Sequence, residues 1–124
     1  MEGVIIVIPA LNPLQSFISF VEQLKKIDIE KIIIVNDGSE EKYASIFNEL
    51  REQQCIVIDH KQNKGKGRAL KTGFDYILKH EKEIEGVLTV GAHGQHTIAD
   101  IELMRESSKV FADGIVLVDR GQSP

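Results

Sequence analysis

The sequence predicts an α/β protein: a mostly parallel, five-stranded sheet sandwiched between helices. Three observations carry this expectation. Short, uniformly apolar, β-branched segments recur five times, the pattern of strands covered on both faces. Segments with apolar residues at helical spacing separate them. Clusters of Pro, Asn, Asp and Gly close the strands with turn chemistry. Right-handed crossovers then gather the strand-to-helix loops Pro9–Asn12, Asn36–Ser39, His60–Gly67 and Gly91–His96 on one edge of the sheet. Ligands of open α/β sheets bind at such an edge.

Gly3-Val4-Ile5-Ile6-Val7-Ile8 is the first strand, stopped by Pro9. Asn12-Pro13 can cap the following helix, since Pro suits a first-turn position. Leu14, Phe17, Ile18, Val21, Leu24 and Ile27 form the core stripe of that helix, with Glu22, Lys25 and Lys26 facing water. Lys31-Ile32-Ile33-Ile34-Val35 is the second strand, and Asn36-Asp37-Gly38-Ser39 its turn. Tyr43, Ile46, Phe47 and Leu50 mark the second helix, and Cys55-Ile56-Val57-Ile58 the third strand. After Asp59-His60-Lys61-Gln62-Asn63, Gly65-Lys66-Gly67 opens a third helix with Leu70, Gly73, Phe74, Ile77 and Leu78 toward the core. Gly86 to Val90 is the fourth strand. Its turn carries His93 and His96, and Thr97 to Asp100 starts a helix with a capping-box-like pattern. Ile98, Ile101 and Met104 form that stripe, and Gly114 to Val118 is the fifth strand.

A chain of 124 residues with 42% apolar content suits one domain, residues 1–124, with an ordinary core. Fifteen Lys+Arg against 19 Asp+Glu leave a net charge of -4, which provides no global field for nucleic acid. Apolar runs fall far short of the ~20 residues that span a bilayer, and no signal-peptide pattern opens the chain. The single Cys55 cannot form an internal disulfide, as suits a reducing compartment. The expected location is cytoplasmic.

Asp37 stands at the tip of a central strand, beside a glycine that lets a ligand approach. It serves equally as a turn or capping residue. Gly65 and Gly67 free backbone N–H groups at a helix start, and Lys64, Lys66, Arg68 and Lys71 add positive charge, a pattern that fits either an anion site or a solvated face. Leu70 occupies the position where both the P-loop and the dinucleotide fingerprint need a glycine, so neither applies. His93 and His96, three apart, make two metal ligands where a catalytic zinc site takes three. His60 and His80 have no partner that spacing identifies. No G-x-S-x-G is present for a nucleophilic serine.

Four ordered stretches carry a resemblance. They are Val7-Ile8-Pro9-Ala10-Leu11-Asn12, Ile34-Val35-Asn36-Asp37-Gly38-Ser39, Asn63 to Gly73 with the form N-x-G-K-G-x-A-x-x-x-G, and Leu88 to His96 ending in Gly94-Gln95-His96. Together they resemble the nucleotide-binding half of glycosyltransferase family 2, the group with dolichyl-phosphate mannosyltransferase-like enzymes. The resemblance implies a Rossmann-like GT-A-type fold and transfer of a sugar from a UDP- or GDP-type nucleotide-sugar. It implies that Pro9, Ala10 and Asn12 line the nucleotide pocket and that Asp37 binds base or ribose. The Gly65–Lys66 loop would lie near the base or diphosphate, with Gly91 and Ala92 also beside the nucleotide.

The family's D-x-D carboxylates hold a divalent cation, Mg²⁺ or Mn²⁺, against the diphosphate. Gly91 and His93 stand at those positions, a degenerate motif in which His93 is the remaining metal-ligand candidate. Pro13 stands where the family often has Glu. The acceptor implied is a polyprenyl phosphate or a cell-surface glycan of a bacterial cell envelope, reached at the inner face of the membrane. The family's domain continues into an acceptor-binding half, so the expectation is a sheet domain incomplete at its C-terminus, with no candidate catalytic base. The alternative is a non-catalytic assembly or regulatory module, a homo-oligomer that keeps the fold.

Overall fold

The structure, a computed structural model, describes residues 4–27, 29, 31–81, 86–92, 111–112 and 115–118. The chain alternates β1 (Val4–Ala10), α1 (Ser16–Leu24), β2 (Lys31–Asn36), a 3₁₀ turn (Glu41–Tyr43), α2 (Ala44–Glu52), β3 (Ile56–Asp59), α3 (Lys66–His80) and β4 (Gly86–Thr89), then β5 (Phe111–Ala112) and β6 (Ile115–Val118). The sheet order is β3-β2-β1-β4-β6-β5. β1, β2, β3 and β4 run parallel, while β6 runs antiparallel to β4 and β5 antiparallel to β6.

The α/β architecture and its mostly parallel sheet are as the sequence predicts. Among the described residues six strands stand where five were expected, because a two-residue strand such as β5 carries no periodicity of its own. The expected fourth helix lies outside the described residues.

Alternation along β1 divides the core. Val4, Ile6 and Ile8 pack with Ile32, Ile34 and Leu88 against α1 and α2, where Phe17, Val21, Leu24, Phe47 and Leu50 are buried. Ile5 and Val7 pack with Ile33, Val35 and Val87 against Ala69 and Ile77 of α3. Each fully buried side chain of this kind contributes roughly 1.5–3 kcal/mol, so a strand apolar at every position is what two covered faces require. Gly73 brings α3 onto the sheet: a Cβ there would lie 2.6 Å from Val7 Cγ1.

Several local expectations change. β1 does not stop at Pro9 but pairs with β2 through Pro9↔Val35 and Ala10↔Asn36. The Val90 N–H donates to the Val7 carbonyl and the Asp37 N–H to the Ala10 carbonyl. By alternation the Pro9 nitrogen faces the β4 side, beyond the end of that ladder at Val7↔Thr89, so its missing N–H costs no sheet bond. α1 begins at Ser16 after Gln15, and Asn12 caps nothing there; its backbone is left-handed, with φ 49°. Leu14 precedes the helix and is 63% exposed, and Leu78 on α3 is 64% exposed. Gly73 and Ile77 of α3 are buried as expected, joined by Ala69, and Leu70 and Phe74 pack partly buried against the same core. Leu78 alone of that stripe falls outside, because the close approach at Gly73 decides which face meets the sheet.

From β1 the chain steps through β2 to β3 on one side, then returns through α3 to β4 on the other. The order therefore reverses at β1, and the crevice beyond its carboxyl end is the switch point where α/β sheets bind ligands. Among the described residues, no helix is long and apolar enough to cross a membrane.

Candidate functional site

Three loops meet at that edge, held by the polar residues that end each strand. The Asn12 backbone N–H donates to Ser39 Oγ at 2.9 Å, and its side-chain oxygen accepts the Glu40 N–H at 2.9 Å. Asn36 turns its side chain both ways, accepting the Ser39 N–H at 3.0 Å and donating to Asp59 Oδ1 at 2.9 Å. These bonds fasten the β1 loop to the β2 loop, and β2 to the end of β3.

Asp37 is the centre. It is 4% exposed, a depth at which a carboxylate requires donors, and it has three. Oδ1 accepts from His60 Nδ1 at 2.8 Å and from the Lys64 N–H at 2.9 Å. Oδ2 accepts the Gly65 N–H at 2.9 Å. Burial by itself pushes the Asp37 carboxyl up. The His60 hydrogen bond, the two backbone N–H groups and the attraction to His60 outweigh it and hold the carboxyl below its ordinary range. A carboxylate has about four lone-pair positions, so one remains, on Oδ2.

His60 in turn places Nε2 2.8 Å from Thr72 Oγ1 on α3. Gly38 has φ +76°, and a Cβ there would lie 2.3 Å from the Asn63 nitrogen and 2.4 Å from the Gln62 carbonyl carbon. The close approach that this glycine permits is therefore by the chain's own 60s loop, not by a ligand.

Above this base lies a cleft of about 210 Å³. β1 contributes Pro9, Ala10 and Leu11, β2 contributes Asp37, and the loop into α3 contributes Asn63, Gly65 and Lys66. Gly65, with φ +97°, leaves open space over the first turn of α3, whose N–H groups carry the positive end of the helix dipole.

Five expected site residues, Pro9, Ala10, Asp37, Gly65 and Lys66, are thus gathered in one cleft. Asn12 instead braces the β1 loop, with Leu11 lining the cleft beside it. Gly91 follows β4, where an added Cβ would meet none of the described residues beyond its neighbours in the chain, and Ala92 is buried in the α1/α2 core. His93 and His96 lie outside the described residues. Sequence reasoning missed His60. The usable signal was the parallel register Asn36↔Asp59, which sets the residues after those two, Asp37 and His60, side by side.

The residues described at the end of β4 do not fit a divalent cation. Gly91 has no side chain to ligate with, and Asp37, the buried carboxylate at the cleft, keeps a single open acceptor position beside its three internal donors. Among the described residues, no three His, Cys, Asp or Glu side chains are grouped to hold a metal ion.

Comparison with known proteins gives the following. The family model described as glycosyl transferase family 2 matches residues 5–121. An uncharacterized protein of Methanocaldococcus jannaschii is 33% identical over 101 residues, covering 82% of this chain and 40% of that protein. The UDP-N-acetylglucosamine–dolichyl-phosphate N-acetylglucosaminyltransferase of Methanococcus voltae is 32% identical over 110 residues, covering 77% of this chain and 43% of that enzyme. The chain thus spans about two fifths of the length of these relatives. Among solved structures, glucosyl-3-phosphoglycerate synthase of Mycobacterium tuberculosis, in complex with Mn²⁺, UDP and phosphoglyceric acid, superposes with a TM-score of 0.55 at 19% identity, over 73% of this chain and 32% of that one. At that identity the likeness concerns the fold, which is of the GT-A type.

Proposed function

The chain belongs to glycosyltransferase family 2, and from that premise we propose that its cleft binds the nucleotide of a UDP- or GDP-type sugar donor, for transfer of the sugar to a lipid phosphate or glycan acceptor. The observation that carries the reading is the one acceptor position left on Oδ2 of Asp37, a residue that lines the cleft beside the open start of α3. A ribose diol offers two O–H donors and is best held by two free carboxylate oxygens. A single free position suits one ring N–H of a base, as uracil and guanine present. The volume agrees: drug-sized ligands occupy roughly 300–1,000 Å³, and about 210 Å³ suits the base end of a nucleotide. The diphosphate then lies toward Gly65 and Lys66, where backbone N–H groups and a lysine meet negative charge.

The acceptor class rests on relatives. The Methanococcus voltae enzyme is named for dolichyl phosphate, and a Staphylococcus aureus relative, 28% identical over 86 residues covering 63% of this chain and 21% of that protein, is named a poly-beta-1,6-N-acetyl-D-glucosamine synthase. A polyprenyl phosphate or an envelope polysaccharide, met at the inner membrane face, is the corresponding acceptor here. No catalytic base is assigned.

Titration calorimetry with UDP, GDP, CDP and ADP tests the donor reading. Binding of UDP or GDP in preference to CDP and ADP is expected, because the latter bases present acceptors at the corresponding ring nitrogen. Equal affinity for all four, or none, overturns it.

Gly91 favours a second reading, a non-catalytic assembly or regulatory module that keeps the fold. Light scattering with and without UDP separates the two. A dimer indifferent to nucleotide supports the second, and a nucleotide-binding monomer supports the first.

A further inference from the structure

His60 lines no part of the cleft described above, yet both of its ring nitrogens are used. Its side chain is 8% exposed, against 5% for Asp37. A carboxylate has no proton to give, so Nδ1 carries the hydrogen donated to Asp37 Oδ1. Nε2 meets Thr72 Oγ1, whose hydroxyl also lies 3.1 Å from the Arg68 carbonyl in the first turns of α3. The His60 backbone N–H donates to the Asn36 carbonyl at 2.8 Å, which anchors the ring to the end of β2. The ring is therefore a strut between a strand end and a helix, with Asp37 at one tip and Thr72 at the other.

We propose that His60 is a positioning residue for nucleotide binding: by occupying Asp37 Oδ1 it turns the remaining acceptor of Oδ2 to the cleft and holds the Lys64–Gly65 turn on that carboxylate. Thr72 sets the ring plane from the helix side. Without the strut, the Asp37 carboxylate keeps only the Lys64 and Gly65 N–H groups, both on a loop that His60 no longer ties to α3, and its acceptors are less firmly aimed. Preorganisation of this kind acts on affinity without any contact to the ligand. This rests on the reading of the cleft as a nucleotide site, so the test includes a measurement that needs no ligand.

Three variants divide the strut. His60→Ala removes both ends. In His60→Asn the amide nitrogen sits at the same distance along the side chain as Nδ1, so it restores donation to Asp37 alone. In His60→Gln the end of the amide, through its oxygen or its nitrogen, reaches the position of Nε2, so it restores the Thr72 end alone. The ligand-free measurement is hydrogen exchange of the Lys64 and Gly65 amides, with thermal midpoints recorded for every variant to separate local from global loosening. Exchange at both amides is expected to quicken about tenfold or more in His60→Ala, and to return toward the parent rate in His60→Asn but not in His60→Gln. UDP and GDP titrations are expected to follow the same order, with about tenfold weaker binding for Ala and Gln and within about threefold for Asn.

Amides that do not respond to His60→Ala, or that recover equally in Asn and Gln, overturn the proposal whatever the nucleotide does. Amides that respond as stated while the parent chain binds neither UDP nor GDP sustain the positioning of the turn and overturn the nucleotide reading. Responsive amides with UDP or GDP affinity unchanged in His60→Ala overturn the link between positioning and binding.

Discussion

Asp37 Oδ1 lies 2.8 Å from His60 Nδ1, across the ends of two adjacent parallel strands. The pair is buried, and two backbone N–H groups of the following loop also donate to the carboxylate. It joins the fold's stability to the shape of the cleft, so perturbing it is expected to change both.

Asp37→Asn tests the stability side. The Asn oxygen can keep the bonds from His60 and Lys64, but its NH₂ then faces the Gly65 N–H, donor against donor. A loss of about 1–3 kcal/mol is expected for this buried mismatch, read as a lower urea midpoint with unchanged slope. Nucleotide affinity falls as well, because the free acceptor has become a donor.

The same carboxyl sets part of the acid limb. It is held lower in the folded chain than its ordinary value of 3.8. The folded state thus takes up its proton less readily than the unfolded one. The resulting stabilisation is whole above about 3.8 and is lost as pH falls through the lowered folded value. Urea unfolding from neutral pH down to about pH 3 should show a shallower acid decline in Asp37→Asn than in the parent. Parallel declines would show that other carboxyls govern the limb.

Gly38→Ala meets two penalties at once. A left-handed backbone costs a non-glycine residue roughly 1–3 kcal/mol, and the added Cβ would stand 2.3 Å from the Asn63 backbone nitrogen. Backbone cannot move aside as a side-chain end can. Destabilisation above about 3 kcal/mol is expected by urea unfolding, with nucleotide binding lost because the 60s loop is displaced.

Gly73→Ala is the contrasting case. Its Cβ would lie 2.6 Å from Val7 Cγ1, a side-chain clash costing about 1–3 kcal/mol. Combining it with Val7→Ala removes the obstructing methyl groups, so the double variant should be more stable than the two separate losses sum to. A double-mutant cycle by urea unfolding measures the coupling, expected at about 1 kcal/mol or more; additivity would show that α3 shifts instead.

Gly91→Asp tests what the end of β4 lacks. Among the described residues, and apart from its chain neighbours, no heavy atom lies within 4 Å of a Cβ added there, so the carboxylate meets none of them and supplies a hard oxygen ligand. UDP affinity is expected to become Mn²⁺-dependent in this variant, rising about tenfold or more with the ion, while the parent changes little. A parent already strongly enhanced by Mn²⁺ would locate the metal elsewhere.

Much was legible from local pattern. Val4 to Ile8 and Ile32 to Val35 read as buried strands because apolar β-branched runs need two covers, and α2 read correctly from Ile46, Phe47 and Leu50. The loop edge followed from alternation and crossover handedness, and the family resemblance singled out Pro9, Ala10, Asp37, Gly65 and Lys66 on it. Leu14 and Leu78 misled because apolar spacing does not say where a helix begins or which flank meets the sheet. Gly73 against Val7 decided the face of α3, and the tie of Asn12 to Ser39 and Glu40 accompanies the later start of α1.

What the amino-acid order determined by itself is the run of strands and helices, the edge that carries the strand-to-helix loops and the family, since periodicity, turn residues and motif spacing are properties of neighbours in the chain. Only the tertiary structure decided what the site residues do. Asp37 and His60 are 23 positions apart, and their meeting depends on the β2–β3 register. The ligand expected at Gly38 proved to be the chain's own loop, brought there by the same register. Strand pairing is a long-range choice made by the packing of both sheet faces, and the hydrogen-bond partners of a buried carboxylate follow from that choice.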